Sequence, residues 1–110
     1  MMTMFFWLLV GHALADYPLQ GDYLAVGKDR HSALNLQVRV WPHCLLSHAI
    51  IHGGGVALVT GSVLLGVFEI AIHAAIDFGK CEKWYGYHTD QVLHVICKVA
   101  WAIFAVQMAA

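Results

Sequence analysis

From His43 to Gly79 the chain is apolar almost without interruption, yet it holds His48, His52, Glu69, His73 and Asp77 inside that run. As one helix the run would be about 55 Å long, too long for a single membrane crossing. It must fold back, and Thr60-Gly61-Ser62 is its strongest turn signal. Two antiparallel helices follow, over about 43–60 and 62–79. Ionisable groups are costly inside apolar helices, so their presence there points to a functional site.

Two more apolar segments flank this pair, at about 4–20 and 89–108. Residues 19–42 are polar and mixed and read as a loop, with at most a short interfacial helix ending before Trp41-Pro42. Residues 80–88 form a second polar loop in which Trp84, Tyr85 and Tyr87 suit a membrane–water interface. The 110 residues are 60% hydrophobic and 12% charged. A soluble domain this small could not keep so much apolar surface from water. The expected fold is all-α, an integral-membrane four-helix bundle forming one transmembrane domain over 1–110. Gly53-Gly54-Gly55 lies mid-span and reads as close helix packing.

Several classes are excluded. Net charge is −1 with neutral histidines, so no basic face suggests nucleic acid. Cys44, Cys81 and Cys97 are odd in number and irregularly spaced, which gives neither a disulfide framework nor a zinc CxxC motif. Ala13-Leu14-Ala15 resembles a signal-peptidase site, but residues 1–4 lack Lys and Arg and His12 interrupts the apolar segment. The first segment is therefore expected to be retained.

Lys28, Arg30 and Arg39 precede the central hairpin, and Lys80 and Lys83 follow it, whereas the turn at 60–62 has no Lys or Arg. This distribution places the first and third connections in the cytoplasm and both termini outside it. The expected location is a bacterial inner membrane, crossed several times.

Four ligand pairs recur at helical i,i+4 spacing: His12 and Asp16, His48 and His52, His73 and Asp77, Asp90 and His94. Antiparallel neighbours at equal depth keep a constant index sum. A fold near 61 sets 48 opposite 73, 52 opposite 69 and 44 opposite 77. A fold near 84 sets 73 opposite 94, 77 opposite 90 and 69 opposite 98. Three layers follow: His52, Glu69 and Lys98 deepest; His48, His73 and His94 in the middle; Cys44, Asp77 and Asp90 shallowest. His12 and Asp16 join the last two. Glu69 and Lys98 become partners. The bland alternative is a polar network that only holds helices together. His31, His43 and His88 read as ordinary loop or helix-end residues.

Gly11-His12-Ala13-Leu14-Ala15-Asp16-Tyr17-Pro18-Leu19-Gln20 resembles the opening signature of a bacterial and phage membrane family, domain of unknown function 3307. Leu46-Ser47-His48, the His73-x-x-x-Asp77-x-x-Lys80 segment and Asp90-Gln91-x-x-His94 are similar to its later blocks. The resemblance spans nearly the whole chain. It implies a small multi-spanning inner-membrane protein and no particular activity. The layout is also similar to that of membrane-bound metal-dependent hydrolases, a likeness of architecture alone.

Imidazole with carboxylate suits Zn, Fe or Mn, and facing helices of a bundle can build a one- or two-metal core. The expected ligands are His12, Asp16, His48, His73, Asp77, Asp90 and His94. Asp16 and Asp90 double as catalytic carboxylates, and Lys80 or Lys98 offsets developing negative charge. The expected function is hydrolysis of a lipid or phosphoester at the cytoplasmic face, with membrane lipid as partner and a homo-oligomer as a possible assembly. The alternative is a non-enzymatic membrane protein, either a proton or ion pathway or a phage-encoded envelope factor. A b-type haem between two facing histidines is a third reading.

Overall fold

The computed structural model describes residues 1–109, which form six helices: α1 (Met2–Asp16), α2 (Gly21–Gly27), α3 (Ala33–Gln37), α4 (Trp41–Thr60), α5 (Val63–Cys81) and α6 (Tyr87–Ala109). Local sequence explains the long elements. Pro42 sits in the first turn of α4, where its missing N–H costs nothing. Gly61 ends α4 with φ +73°, a left-handed conformation that suits glycine, and its N–H returns to Ala57 O. Ser62 then caps α5 by accepting the Leu65 N–H at 3.2 Å. The chain thus folds back within two residues.

α4 and α5 make the most extensive helix contact in the bundle, and glycine permits it. A Cβ on Gly53 would lie 2.6 Å from Gly66 O, and one on Gly66 would lie 2.7 Å from Gly53 O. α4 runs unbroken through Gly53, Gly54 and Gly55. α1 packs on α4 and α6, and α6 returns against α5.

The expected integral-membrane four-helix bundle is corrected here. Six helices form one compact bundle, because the stretch read as a loop contains α2 and α3 and folds onto the rest. Two polar anchors draw it in. Asn35 Nδ2 donates to Gly27 O and Asp29 O, while its Oδ1 accepts from Val40 N and Trp41 N. Lys28 reaches into the interior and donates to Asp77 Oδ2 at 2.9 Å. Helices of seven and five residues leave no periodic signal in a sequence. Two helices, α4 and α6, are long and apolar enough to cross a membrane. α1 has only 15 residues, about 22 Å, and α5 carries Glu69, Asp77 and Lys80.

The interior holds both apolar and polar side chains. Leu8, Val56, Leu65, Trp101, Ala102 and Ala105 form an apolar core toward one end. Elsewhere the interior mixes apolar residues such as Ala15, Cys44 and Ala49 with polar ones, among them Glu69, Asp90 and Lys98, each 1% exposed. On the outside, Leu58 is 86% exposed and Val63 75%, and Phe68, Val92, Ile96 and Phe104 are exposed as well.

Candidate metal centre

Each long helix contributes one turn-spaced face to a common interior. α1 supplies His12 and Asp16, α4 supplies His48 and His52, α5 supplies Glu69, His73 and Asp77, and α6 supplies Asp90, His94 and Lys98. All are buried except Asp16, whose side chain is 12% exposed.

The histidine rings form a continuous stack. His52 and His73 lie 3.8 Å apart between centroids, and His73 and His94 lie 4.1 Å apart. His48 sits edge-on to His52 and His73, and His12 is tilted against His52 and His94. Carboxylates surround the stack. Asp16 Oδ1 lies 2.8 Å from His52 Nε2 and 3.3 Å from His48 Nε2. Asp77 Oδ2 lies 3.5 Å from His48 Nε2 and 3.7 Å from His73 Nε2. Asp90 Oδ1 lies 3.3 Å from His94 Nε2. Rings this close leave no gap for a flat macrocycle, so haem between facing histidines does not fit.

Three groups bring potential ligand atoms within 4.8 Å of one another: Asp16, His48, His52 and His73; Glu69, His73 and His94; Asp77, Asp90 and His94. Glu69 is already engaged. Its Oε1 accepts from Lys98 Nζ at 2.6 Å and faces His73 Nδ1 at 3.2 Å, and its Oε2 accepts from Trp101 Nε1 at 2.6 Å. Glu69 therefore orients His73, the supporting role a carboxylate plays behind a ligand histidine. With Nδ1 turned to Glu69, His73 Nε2 is left for the centre. That atom, His48 Nε2 and Asp90 Oδ1 are buried and have no hydrogen-bond partner among the described residues. Unpartnered buried polar atoms are costly and call for a ligand.

A cavity of about 120 Å³ opens above the carboxylates, lined by Asp16, Tyr17, Gln20, Lys28, Asp77, Lys80, Tyr87, Asp90 and Gln91. The Tyr17 and Tyr87 hydroxyls meet by a hydrogen bond beside it. Lys80 lines this cavity with its ammonium near the Tyr87 ring. Lys98 does not line it, being held by Glu69, so Lys98 is not placed to offset charge there.

The connections close the same end. Glu82 receives Arg30 Nε and also pairs with His31 Nε2 at 2.6 Å. Those two hydrogen bonds hold the Glu82 carboxyl below its ordinary range.

The layering read from the sequence and the side-chain positions differ in places. His52, assigned to the deep layer, stacks on His73 and bonds Asp16. Side chains lean toward the N-terminus of their own helix. On antiparallel α4 and α5 they lean in opposite directions, so equal backbone depth is not equal ring depth. His12 packs beside His52 and His94, with Nε2 3.1 Å from Gln91 Oε1 and 3.2 Å from Asp16 Oδ2, and belongs to none of the three groups. Cys44 lies under Gly27, where a Cβ would meet its Sγ at 2.5 Å. Lys28 was unforeseen, since one lysine in a polar stretch carries no signal of burial. Among the described residues, His31, His43 and His88 stay outside the cluster.

A family model described as "Protein of unknown function (DUF3307)" matches residues 4–110. The chain belongs to the DUF3307 family. No curated protein and no solved structure matches this DUF3307 chain. The family match carries the resemblance read from the opening and closing motifs. It says nothing of metal-dependent hydrolases.

Proposed function

We propose that this DUF3307 protein is a membrane-resident, metal-dependent hydrolase of a lipid or other phosphoester, with its centre facing the cytoplasm. One observation carries the reading. Asp16, His48, His52 and His73, from three helices, bring ligand atoms within 4.8 Å of one another, and His48 Nε2 and His73 Nε2 have no hydrogen-bond partner among the described residues. Imidazole and carboxylate together suit Zn, Fe or Mn. A divalent ion supplies Lewis acidity, which polarises an ester or phosphoryl oxygen and acidifies water.

The chain's own residues provide the rest. Asp16 and Asp90 reach the cavity as carboxylates able to ligate or to accept a proton. Lys80 stands at the rim, where developing negative charge needs an ammonium. The exposed apolar faces of α4, α5 and α6 support a lipid surrounding. Lys28, Arg30, Lys80 and Lys83 gather at the cavity end, as Lys28–Asp77 and Arg30–Glu82 contacts require, which supports a cytoplasmic orientation in a bacterial inner membrane.

The test is hydrolysis of a short-chain phospholipid and of a soluble aryl phosphate by detergent-solubilised protein loaded with Zn or Mn. Turnover that requires the ion and disappears in His73→Ala is expected. Folded, metal-loaded protein that cleaves neither would overturn the hydrolase.

One observation favours a second reading. The stacked rings of His52, His73 and His94 continue through Glu69 to Lys98, the composition of a proton relay. Proton flux into vesicles by metal-free protein would select it.

A further inference from the structure

We infer that the site takes two divalent cations, one in the Asp16–His48–His52–His73 set and a second in the Asp77–Asp90–His94 set. This rests on the metal-centre reading above and deepens it, making Asp90 a ligand to the second ion.

The two sets share no residue, and each gathers its ligand atoms within 4.8 Å. Each also holds a buried polar atom without a hydrogen-bond partner among the described residues. In the first set these are His48 Nδ1 and Nε2, His52 Nδ1 and His73 Nε2, and in the second Asp90 Oδ1 and His94 Nδ1. One ion among the first four residues would leave Asp90 Oδ1 unanswered. The remaining group has both Glu69 oxygens taken, by Lys98 and Trp101, whereas Asp77 gives only Oδ2, to Lys28, among the described residues.

The sets also adjoin. Asp77 Oδ2, in the second, lies 3.5 Å from His48 Nε2 and 3.7 Å from His73 Nε2, in the first. Gln91 Nε2 donates to Asp16 Oδ2 at 3.1 Å and to Asp90 Oδ2 at 3.2 Å. A single amide therefore holds the outer oxygen of one carboxylate from each set. The other oxygens face histidine nitrogens: Asp16 Oδ1 lies near His52 and His48, and Asp90 Oδ1 lies 3.3 Å from His94 Nε2 without hydrogen-bonding to it.

A second ion changes the sign of the site. Asp16, Glu69, Asp77 and Asp90 face only Lys28 and Lys98 in the interior, an excess of two negative charges with neutral histidines. One divalent ion cancels that excess. Two reverse it and make the cavity attractive to an anion. Paired ions a few ångströms apart are suited to clamping the attacking and leaving oxygens of a phosphoryl group. The cavity of about 120 Å³ admits such a group and little more, so the rest of a phosphoester would remain outside.

The test counts ions and reads their coupling. Full-length detergent-solubilised protein is loaded with Mn(II), freed of excess, and measured by elemental analysis and electron paramagnetic resonance. Two ions per chain and an exchange-broadened Mn signal are expected. Asp90→Asn and His94→Gln should each retain one ion and restore the hyperfine pattern of isolated Mn(II). One ion per folded wild-type chain with that isolated pattern overturns the second site and leaves the first. No bound ion overturns both. The wild-type spectrum decides even if a variant fails to fold. Turnover is a separate readout: a coupled pair without hydrolysis keeps this inference and removes the hydrolase.

Discussion

Lys98 Nζ donates to Glu69 Oε1 at 2.6 Å, with both side chains 1% exposed. The pair joins α5 to α6 at the floor of the histidine stack. Glu69 also faces His73 Nδ1, so it couples helix packing to the orientation of a candidate ligand. Breaking a buried pair strands the other charge and costs about 3–5 kcal/mol, while replacing both with apolar groups is often near neutral. Lys98→Met and Glu69→Leu should each lower thermal stability in detergent by an amount of that order. The double variant should recover most of the loss. Additive losses in the double-mutant cycle would show that the two do not act as a pair.

Gly53 and Gly54 separate packing from helix propensity. A Cβ on Gly53 meets Ile70 and Gly66 O within 3 Å, while one on Gly54 meets nothing within 4 Å. Gly53→Ala should destabilise by about 1–3 kcal/mol as the α4–α5 contact opens. Gly54→Ala should be neutral or stabilise by up to about 1 kcal/mol, because alanine favours the helix. Equal melting temperatures for the two variants would contradict the close approach of α4 and α5.

Glu82 gives the connections a pH dependence. Its carboxyl titrates lower in the folded protein than its ordinary value because Arg30 and His31 bond the charged form. The stabilisation is present above the unfolded-state value and disappears as pH falls through the folded one. Proteolytic protection of residues 28–33 should therefore drop on acidification below about pH 4.5. Glu82→Gln should be poorly protected at neutral pH and show no such drop. Unchanged protection in Glu82→Gln would mean that this contact does not hold the segment.

Orientation is open to cysteine labelling in a background where Cys44, Cys81 and Cys97 are replaced by Ser. A cysteine placed at 30 or 84 should react from the cytoplasm and one at 61 from the opposite side. Reaction of position 61 from the cytoplasmic side would reverse the proposed topology.

What was legible in the sequence follows from local rules. Thr60-Gly61-Ser62 carries its own chemistry, a left-handed glycine followed by a capping serine, so the turn can be read without any tertiary context. The i,i+4 pairs were visible because helical geometry needs no partner to set it. The juxtaposition of Glu69 with Lys98 followed from hairpin register, since short connections leave little freedom in depth. α1 has no such tie, being separated from α4 by residues 17–40, and Asp16 lies nearer His52 than layering allowed. α2, α3 and buried Lys28 were hidden for a related reason. Their order comes from Asn35 and Asp77, contacts at a distance that no local window contains.

The His and Asp side chains of α1, α4 and α5 are proposed to hold a divalent ion. Elemental analysis of folded protein purified without chelator, with His52→Ala and His73→Ala beside the wild type, detects that ion. At least one equivalent of Zn, Fe or Mn per wild-type chain is expected, with a marked loss in both variants while helical content is kept, because losing an imidazole opens the coordination shell. Folded wild-type protein that carries no such ion, and takes none up from added Zn or Mn, would contradict it.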